Sequence, residues 1–302
     1  MTRLTSGRYA LLLVLLLEAC GGSDGGGGGG PDGGGGPMTV TLISRSWTQA
    51  ANSESYQCRE IQATSDLLLT SFHPTLPPGQ FRMWVVTSDA PTNSAPGDFD
   101  CAASALIASG NRLIYAAGMG TNDIQLPAGV GVRIKNGQYV TLIVQVVNVT
   151  GTALSGTSGV TAQTTSQITN EADMIFAGTT SISIPANGTG SATGGCSVPG
   201  NWTIFALLPM QNRLGVHHTV TFTHSGSSTL HDASYDFNQQ VFDSKNVTVV
   251  NGDNLQTTCD YNNLSGATVV FGPQSTDEVC LTGVYRFPAP SVAENPFACV
   301  SH

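Results

Sequence analysis

The sequence predicts an all-β protein, and three observations indicate this class. Short runs rich in Val, Ile, Thr and aromatic residues recur along the chain, and glycine, proline and Asn-Gly or Asn-Asp pairs separate them. No window shows an apolar stripe with the 3.6-residue period of a helix. Charged residues make up only 10% of the chain, which is typical of secreted β proteins. Many short strands with frequent turns favour sandwiches or barrels.

The strand-like runs occupy both halves of the chain. They are residues 39–43 (TVTLI), 81–87 (FRMWVVT), 139–147 (YVTLIVQVV), 179–184 (TTSISI), 202–208 (WTIFALL), 218–223 (HTVTFT), 247–250 (VTVV) and 267–271 (ATVVF). A Ser/Thr-rich stretch, 152–169, ends the first series, and a Gly-rich segment before Cys196 belongs to the start of the second. The part of the chain after residue 37 is long enough for two domains or one large one, and we predict domains at 38–170 and 171–302.

The beginning of the chain predicts export. Arg3 and Arg8 precede the apolar residues 9–17 (YALLLVLLL), which suit the core of a signal peptide and are too few to span a bilayer. Residues 17–20 (LEAC) resemble the lipobox of bacterial lipoproteins. This resemblance implies a signal peptide over 1–19 and a diacylated Cys20. Glu18 is unusual in a lipobox, and the alternative is a secretory signal with a free Cys20.

Residues 20–37 predict a lipid-bearing cysteine followed by a flexible Gly-rich linker, with a root-mean-square span of about 23 Å. We therefore expect a protein of the cell envelope whose membrane contact is the lipid anchor. The residue directly after Cys20 is Gly21 and not an aspartate, which fits the preference of lipoproteins that are sorted to the outer membrane. The net charge is −9 and no basic run occurs, which argues against nucleic acid as a partner.

Six cysteines remain when Cys20 is set aside. They are Cys58, Cys101, Cys196, Cys259, Cys280 and Cys299. An even number in an exported chain indicates disulfides, and no two have the close spacing of a zinc or redox site. Six cysteines allow 15 pairings, and composition does not choose among them.

An ordered series of short motifs runs through both parts of the chain. In the C-terminal part these motifs are 205–209 (FALLP), 210–215 (MQNRLG), 235–240 (YDFNQQ), 251–255 (NGDNL), 258–263 (TCDYNN) and 276–280 (TDEVC). In the N-terminal part they are 56–58 (YQC), 76–79 (LPPG), 117–121 (AGMGT), 126–130 (LPAGV), 137–140 (GQYV) and Asn148. In this order the motifs resemble the copper type II, ascorbate-dependent monooxygenases, the family of the peptidylglycine α-hydroxylating and dopamine β-monooxygenases. The resemblance covers about residues 54–290.

The resemblance implies two tandem jelly-roll β-sandwiches, each with one copper, that face each other across a solvent cleft. It also implies the disulfides Cys58–Cys101, Cys196–Cys299 and Cys259–Cys280.

The copper ligands are where this sequence departs from the family. The family's His-His pair, its third His, its His-Met-His segment and its last Met fall on Phe81, Arg82, Gln145, Met210, Asn212 and Val279. Copper that cycles between two oxidation states needs imidazole or thioether donors. Phenylalanine and valine have no donor atom, arginine brings a fixed positive charge, and the two amides offer only weak oxygens. Met210 alone keeps a soft donor.

Other candidate residues carry weaker hypotheses. His217 and His218 are neighbours, so on a strand they point to opposite faces, and His218 and His224 would lie about 20 Å apart. We expect surface or rim positions for these three histidines, with a relocated metal site as the alternative.

The remaining candidates have structural explanations. We expect His231, Asp232 and Asp236 in turns and His73 in a loop. We expect four basic residues either on the surface or around the former copper cleft: Arg82, Arg133, Lys135 and Arg213. Gly118 to Gly120 predicts a turn, and no G-x-S-x-G motif occurs.

The sequence therefore favours a surface lipoprotein with a monooxygenase-like scaffold that is a pseudoenzyme, without copper or another cofactor, and a binding module for an unknown ligand or protein. The alternative is an active copper-dependent monooxygenase, an oxidoreductase that hydroxylates a small substrate with O2 and ascorbate through relocated ligands. A purely structural envelope protein is a third hypothesis.

Overall fold

The computed structural model describes residues 38–302, so the predicted signal peptide, Cys20 and the linker lie outside the described residues. We call residues 38–172 the N-terminal half and 173–302 the C-terminal half. The N-terminal half contains β1 (Met38–Gln49), β2 (Ser53–Gln62), β3 (Leu67–Leu69), β4 (Ser71–Thr75), β5 (Gln80–Ser88), β6 (Gly97–Cys101), a 3-10 helix (Ala103–Ile107), β7 (Arg112–Gly118), β8 (Ile124–Gln125), β9 (Val130–Ile134), β10 (Tyr139–Asn148), β11 (Leu154–Thr164) and β12 (Asn170–Glu171).

The C-terminal half contains β13 (Asp173–Thr179), β14 (Ser183–Ile184), β15 (Gly188–Ser197), β16 (Trp202–Met210), β17 (Gly215–Thr223), β18 (Ser227–Ser234), β19 (Asp243–Val249), β20 (Asn254–Asn263), β21 (Val269–Val270), β22 (Cys280–Phe287) and β23 (Cys299–Ser301). The predicted all-β class is confirmed. None of the helices within residues 38–302 has the length and apolar character needed to cross a membrane.

Each half pairs its strands into its own sheets. In the N-terminal half one sheet has the order β12-β9-β3-β11-β4-β8, with β1 also paired to β11, and the other has the order β6-β2-β10-β5-β7. In the C-terminal half the sheets have the orders β19-β16-β22-β13-β23, β15-β20-β17-β18 and β14-β21. The sheets change partners between β12 and β13, close to the predicted boundary at residue 170.

The central strands of the two inner sheets are buried on both faces. Every residue of β5 and every residue of β13 is buried, and β10, β16 and β22 are nearly so. A strand with one solvent face would alternate between buried and exposed residues. The continuous burial arises because one hydrophobic core extends through both halves and joins Trp84 and Tyr115 with Phe205 and Tyr285. The Tyr285 hydroxyl also donates to the carbonyl of Ile114 at 2.5 Å.

Some strand predictions were wrong. The run 179–184 is broken, since β13 ends at Thr179 and β14 begins at Ser183. The Ser/Thr-rich stretch 152–169 contains β11, an 11-residue strand that the sequence did not predict. Its glycines allow close packing on β1, because a Cβ at Gly159 would lie 2.9 Å from the carbonyl oxygen of Ile43.

Three disulfides close within the described residues. They join Cys58 to Cys101, Cys196 to Cys299 and Cys259 to Cys280, the pairs that the family resemblance implies. Each closed loop restricts the unfolded chain and stabilises the fold by about 3–5 kcal/mol. Residues 38–302 belong to one compact unit that contains all three bonds, the sheets and the cores, so residues 35–302 can be purified and studied on their own.

Candidate functional site

The N-terminal half presents a row of polar side chains across three neighbouring strands. Gln145 on β10 lies directly opposite Tyr56 on β2 and Arg82 on β5. Directly opposite residues share one face of a sheet, and this face meets the C-terminal half. A bulge between Gln145 and Val146 leaves Phe81 as an extra residue on β5. Because a bulge re-aims a side chain, both Phe81 and Arg82 contact the C-terminal half.

The matching residues of the C-terminal half lie around one buried carboxylate. Met210 ends β16, and Val279 directly precedes β22. The buried carboxylate is that of Glu278, which directly precedes Val279. It accepts hydrogen bonds from the backbone N–H of Asn212 at 2.8 Å and of Leu214 at 2.7 Å. The side-chain amide of Asn212 donates to the carbonyl of Asp277 at 2.6 Å. These bonds fix the loop that follows β16 against the segment before β22.

Five of the six positions aligned with copper ligands line one cavity of about 710 Å³, which we call the inter-half cavity. They are Arg82, Gln145, Met210, Asn212 and Val279. The remainder of the wall is mostly apolar and comprises Tyr56, Trp84, Ala103, Ser104, Leu106, Ile107, Phe176, Thr180, Ile182, Val270, Phe271, Gly272, Pro273, Leu281, Asn295, Phe297 and His302. The sixth position, Phe81, packs on Phe237 with ring centroids 4.8 Å apart.

Hydrogen bonds between the halves surround this cavity. Arg82 Nη2 donates to the carbonyl of Gln211 at 2.6 Å. The Gln145 amide and the Tyr56 hydroxyl both donate to the carbonyl of Pro273, at 3.0 and 2.5 Å. Residues at the positions aligned with copper ligands therefore hold the two halves together, where the resemblance implies an open solvent cleft.

A second contact between the halves joins two of the sequence motifs. Gln240 N donates to the carbonyl of Met119 at 2.9 Å, and the Thr121 hydroxyl donates to the carbonyl of Gln240 at 2.6 Å. Gly120 has a φ of +68°, and a Cβ there would lie 2.1 Å from the carbonyl oxygen of Asn238. The predicted turn at Gly118 to Gly120 is thus a structural contact, and glycine is required because only it fits this close approach.

Arg82 is a buried cation with little compensation. It is 4% exposed, and no aspartate or glutamate among residues 38–302 lies within ion-pair distance of its guanidinium. Burial lowers the pKa of Arg82, and the nearby Tyr235 and Glu278 oppose that shift. Burial also raises the pKa of Glu278 to about 7, against the backbone N–H groups that hold its carboxylate. Near neutral pH the Glu278 carboxylate therefore balances the charge of Arg82 only in part.

Three residues of the cavity wall hold buried polar atoms without a hydrogen-bond partner. These atoms are Arg82 Nε, Trp84 Nε1 and Asn212 Oδ1. A buried polar group left unpaired costs about 1–3 kcal/mol, so most are satisfied in folded proteins. The three on this wall lie where a bound ligand could supply the missing partners.

The donor set does not fit copper. Phe81 and Val279 have no ligand atom, Arg82 is a cation, and both amides already donate to protein carbonyl groups. Met210 is a single thioether, and a tight copper site needs several nitrogen or sulfur donors held together. No group of three or more His, Cys, Asp or Glu side chains within residues 38–302 is placed to hold a metal ion.

His217, His218 and His224 do not converge on one site. His217 and His218 point to opposite faces of β17, as predicted: His217 contacts Asp232 at 2.6 Å, and His218 contacts Thr282 at 2.9 Å. The predicted surface or rim position is wrong for His218, which is fully buried, with its ring centroid 5.8 Å from that of His231. Burial lowers the pKa of His218 to about 3, which keeps its ring neutral. His224 contacts a different residue, Asp253, at 2.5 Å.

Several of the weaker predictions can be placed. Asp236 caps a turn, but His231 and Asp232 lie within β18, and His73 lies within β4 and not in a loop. Of the arginines and lysine considered for the cleft, only Arg82 lines the cavity. Arg213 stacks on the rings of Phe81 and Phe237, Arg133 pairs with Glu171, and Lys135 is exposed.

Sequence reasoning missed Glu278, Tyr235 and Trp84. The first two lie inside motifs that carried the resemblance, but nothing in their spacing shows that Glu278 binds a backbone loop or that the Tyr235 hydroxyl donates to Gln211 O at 2.7 Å. Trp84 is two residues beyond Arg82 on β5, and its period-2 relation to Arg82 was the available signal.

Comparison with known families supports the resemblance for the C-terminal half. The family "Copper type II ascorbate-dependent monooxygenase, C-terminal domain" matches residues 212–301, less than a third of the chain. The match includes Asn212 and Val279, two of the positions where the resemblance implies copper ligands. No curated protein matches the chain.

Solved structures add no functional information. A chain of the plant peptide RALF23 complex with FER and LLG2 is 6% identical, covers 86% of this chain and 90% of that one, and has a TM-score of 0.22. A chain of the infectious bursal disease virus Gx strain is 9% identical, covers 83% and 71%, and has a TM-score of 0.18. TM-scores this low carry no argument about this protein.

Proposed function

We propose that this protein is a non-catalytic, lipid-anchored binding module of the cell envelope that holds a small apolar ligand in the inter-half cavity. It keeps the monooxygenase-like scaffold as two tandem jelly-roll domains, 38–170 and 171–302. The observation that carries the proposal is that five positions aligned with copper ligands line a single, mainly apolar cavity and offer no copper donor set.

The size and lining of the cavity support a small-molecule site. Ligand pockets occupy about 300–1,000 Å³, are lined mainly by apolar and aromatic side chains, and contain a few polar groups that orient the ligand. The inter-half cavity has about 710 Å³, and Phe176, Phe271 and Phe297 contribute to its wall beside the polar row of Arg82 and Gln145.

The test is binding of N-phenyl-1-naphthylamine, a neutral apolar fluorophore, to purified residues 35–302. We expect saturable enhancement of its emission. Val279→Trp, which places a bulky ring in the cavity wall, should abolish the enhancement. The matched control is Val292→Trp, at an exposed valine outside the wall, which should bind as the wild type does. Absence of saturable binding by the wild-type protein, or equal binding by both variants, would refute a site in this cavity.

The lipid anchor has a separate test. Residues 17–20 (LEAC) and the Gly-rich linker motivate the proposal that Cys20 is acylated and that the protein lies at the outer membrane. We expect the full chain to fractionate with membranes and to carry diacylglycerol mass on Cys20. Cys20→Ser should carry no acyl group. A wild-type protein without acyl mass would contradict the anchor and leave the binding proposal intact.

A further inference from the structure

We infer that the inter-half cavity selects a small apolar carboxylate, with the anionic group against Arg82 and Trp84 and the apolar body in the aromatic part of the cavity. This inference rests on the proposed binding function, and it specifies the class of ligand. It derives from the charge of the wall, its unpaired donors and the position of its apolar residues.

The charge of the wall favours an anion. The chain contains 20 acidic and 11 basic residues, yet within residues 38–302 the cavity wall has no aspartate or glutamate. Arg82 supplies a positive charge there and makes its hydrogen bond to a neutral carbonyl, that of Gln211. A buried charge is costly unless it is paired, and an anionic ligand would supply the missing partner.

Two carboxylates contact residues of the wall from outside it, and both already accept hydrogen bonds. Glu54 accepts from the Gln145 amide at 2.7 Å and from the Ser275 hydroxyl at 2.7 Å. Glu278 lies outside the wall, and its two oxygens are occupied by the backbone N–H groups of Asn212 and Leu214. Arg82 would repel a cationic ligand, because no aspartate or glutamate side chain on the wall offsets the positive charge. An anion meets no aspartate or glutamate side chain on the wall.

Two unpaired donors lie on the same strand face. Arg82 and Trp84 are two residues apart on β5, so their side chains point to the same side of the sheet. Arg82 Nε and Trp84 Nε1 both lack a partner. Both atoms are buried, so the gain from a carboxylate comes from an anion placed against the Arg82 guanidinium and close to both donors, and a neutral hydroxyl brings no such charge.

The apolar part of the ligand would extend from the carboxylate beside Arg82 and Trp84 toward the exposed edge of the cavity. Tyr56 stacks beside Trp84, with ring centroids 6.4 Å apart and planes 13° from parallel. Ile107 and Val270 belong to the wall although they are 45% and 50% exposed, so they form an apolar rim. Large apolar side chains exposed at the edge of an apolar cavity are typical of a ligand entrance.

The experiment compares matched ligands on residues 35–302 at pH 7.5. Decanoate and decan-1-ol, and 3-phenylpropanoate and 3-phenylpropan-1-ol, compete against bound N-phenyl-1-naphthylamine. We expect each carboxylate to displace the fluorophore at concentrations about tenfold or more below those of its alcohol, the effect of a charge-assisted hydrogen bond. With each displacement constant corrected for the variant's own affinity for the fluorophore, Arg82→Gln should show no preference, and Arg213→Gln, an arginine outside the wall, should keep it.

The outcomes separate the two proposals. If the fluorophore binds but acid and alcohol displace it equally, the carboxylate inference is overturned and the binding function stands. If the fluorophore does not bind, both fall together. Should Arg82→Gln fail to fold, the comparison of acid and alcohol on the wild-type protein decides the inference alone. A carboxylate preference that survives in folded Arg82→Gln would also overturn the assignment to Arg82.

Discussion

Arg82 and Gln145 lie directly opposite each other on β5 and β10, and each donates a hydrogen bond across the molecule to a backbone carbonyl of the C-terminal half. Arg82 reaches Gln211 O at 2.6 Å, and Gln145 reaches Pro273 O at 3.0 Å. Both are positions where the sequence resemblance implies copper ligands. In this protein they join the two halves and line the cavity between them.

The contact of Gly120 with Asn238 predicts a large effect from one methyl group. Gly120→Ala places a Cβ 2.1 Å from a backbone oxygen of the opposite half, at a φ of +68°. Gly137→Ala is the matched control, because Gly137 has a φ of +86° and open space around its Cβ position. We expect the control to lose about 1–2 kcal/mol of unfolding free energy, and Gly120→Ala to lose about 1–3 kcal/mol more. Equal losses in urea unfolding would show that the halves are not in close contact here.

The aromatic pair Phe81 and Phe237 predicts energetic coupling between the halves. Their ring centroids are 4.8 Å apart, and Arg213 lies over both rings. A double-mutant cycle with Phe81→Ala and Phe237→Ala should give a coupling free energy of about 0.5–1.5 kcal/mol, as expected for an aromatic pair. Additive losses of unfolding free energy would contradict the contact.

Glu278 predicts a pH dependence of stability. Its pKa in the folded protein is raised to about 7, mainly by burial, from an ordinary value of 4.5. Between these pH values the folded protein binds a proton that the unfolded chain releases, so this group makes stability fall as pH rises from about 4.5 to about 7. Glu278→Gln removes the titration. From pH 5 to pH 8 the variant should therefore lose about 2.5 kcal/mol less stability than the wild type.

Urea unfolding of both proteins at the two pH values measures this difference. Other buried groups, among them Asp173, are common to both proteins and cancel in the comparison. An equal change with pH in wild type and variant would show that Glu278 titrates in the folded protein as it does in the unfolded chain.

The sequence predicted the strands whose side chains fill the core and missed those built on small residues. β5 and β10 are recognisable because their β-branched and aromatic residues are buried on both faces. β11 and β15 contain few large apolar residues, and Gly159 in β11 is required by the close approach of β1, which only the tertiary structure reveals.

The site was predictable in part. The resemblance selected Arg82, Gln145, Met210, Asn212 and Val279, and the structure places these five on one cavity wall. The closure of the halves was not predictable, because it depends on backbone carbonyls of Gln211 and Pro273, whose positions follow from the packing of the halves and leave no signal in the sequence.

The most direct test of the central claim is the copper content of purified residues 35–302 after loading with copper under reducing conditions and removal of weakly bound metal. The triple variant Met210→His, Asn212→His, Val279→Met is the reference, because it returns nitrogen and sulfur donors to one wall of the cavity. The account predicts that the wild-type protein retains no stoichiometric copper and that the variant retains more. Stoichiometric copper in the wild-type protein would contradict the account and direct attention to His217, His218 and His224 as relocated ligands.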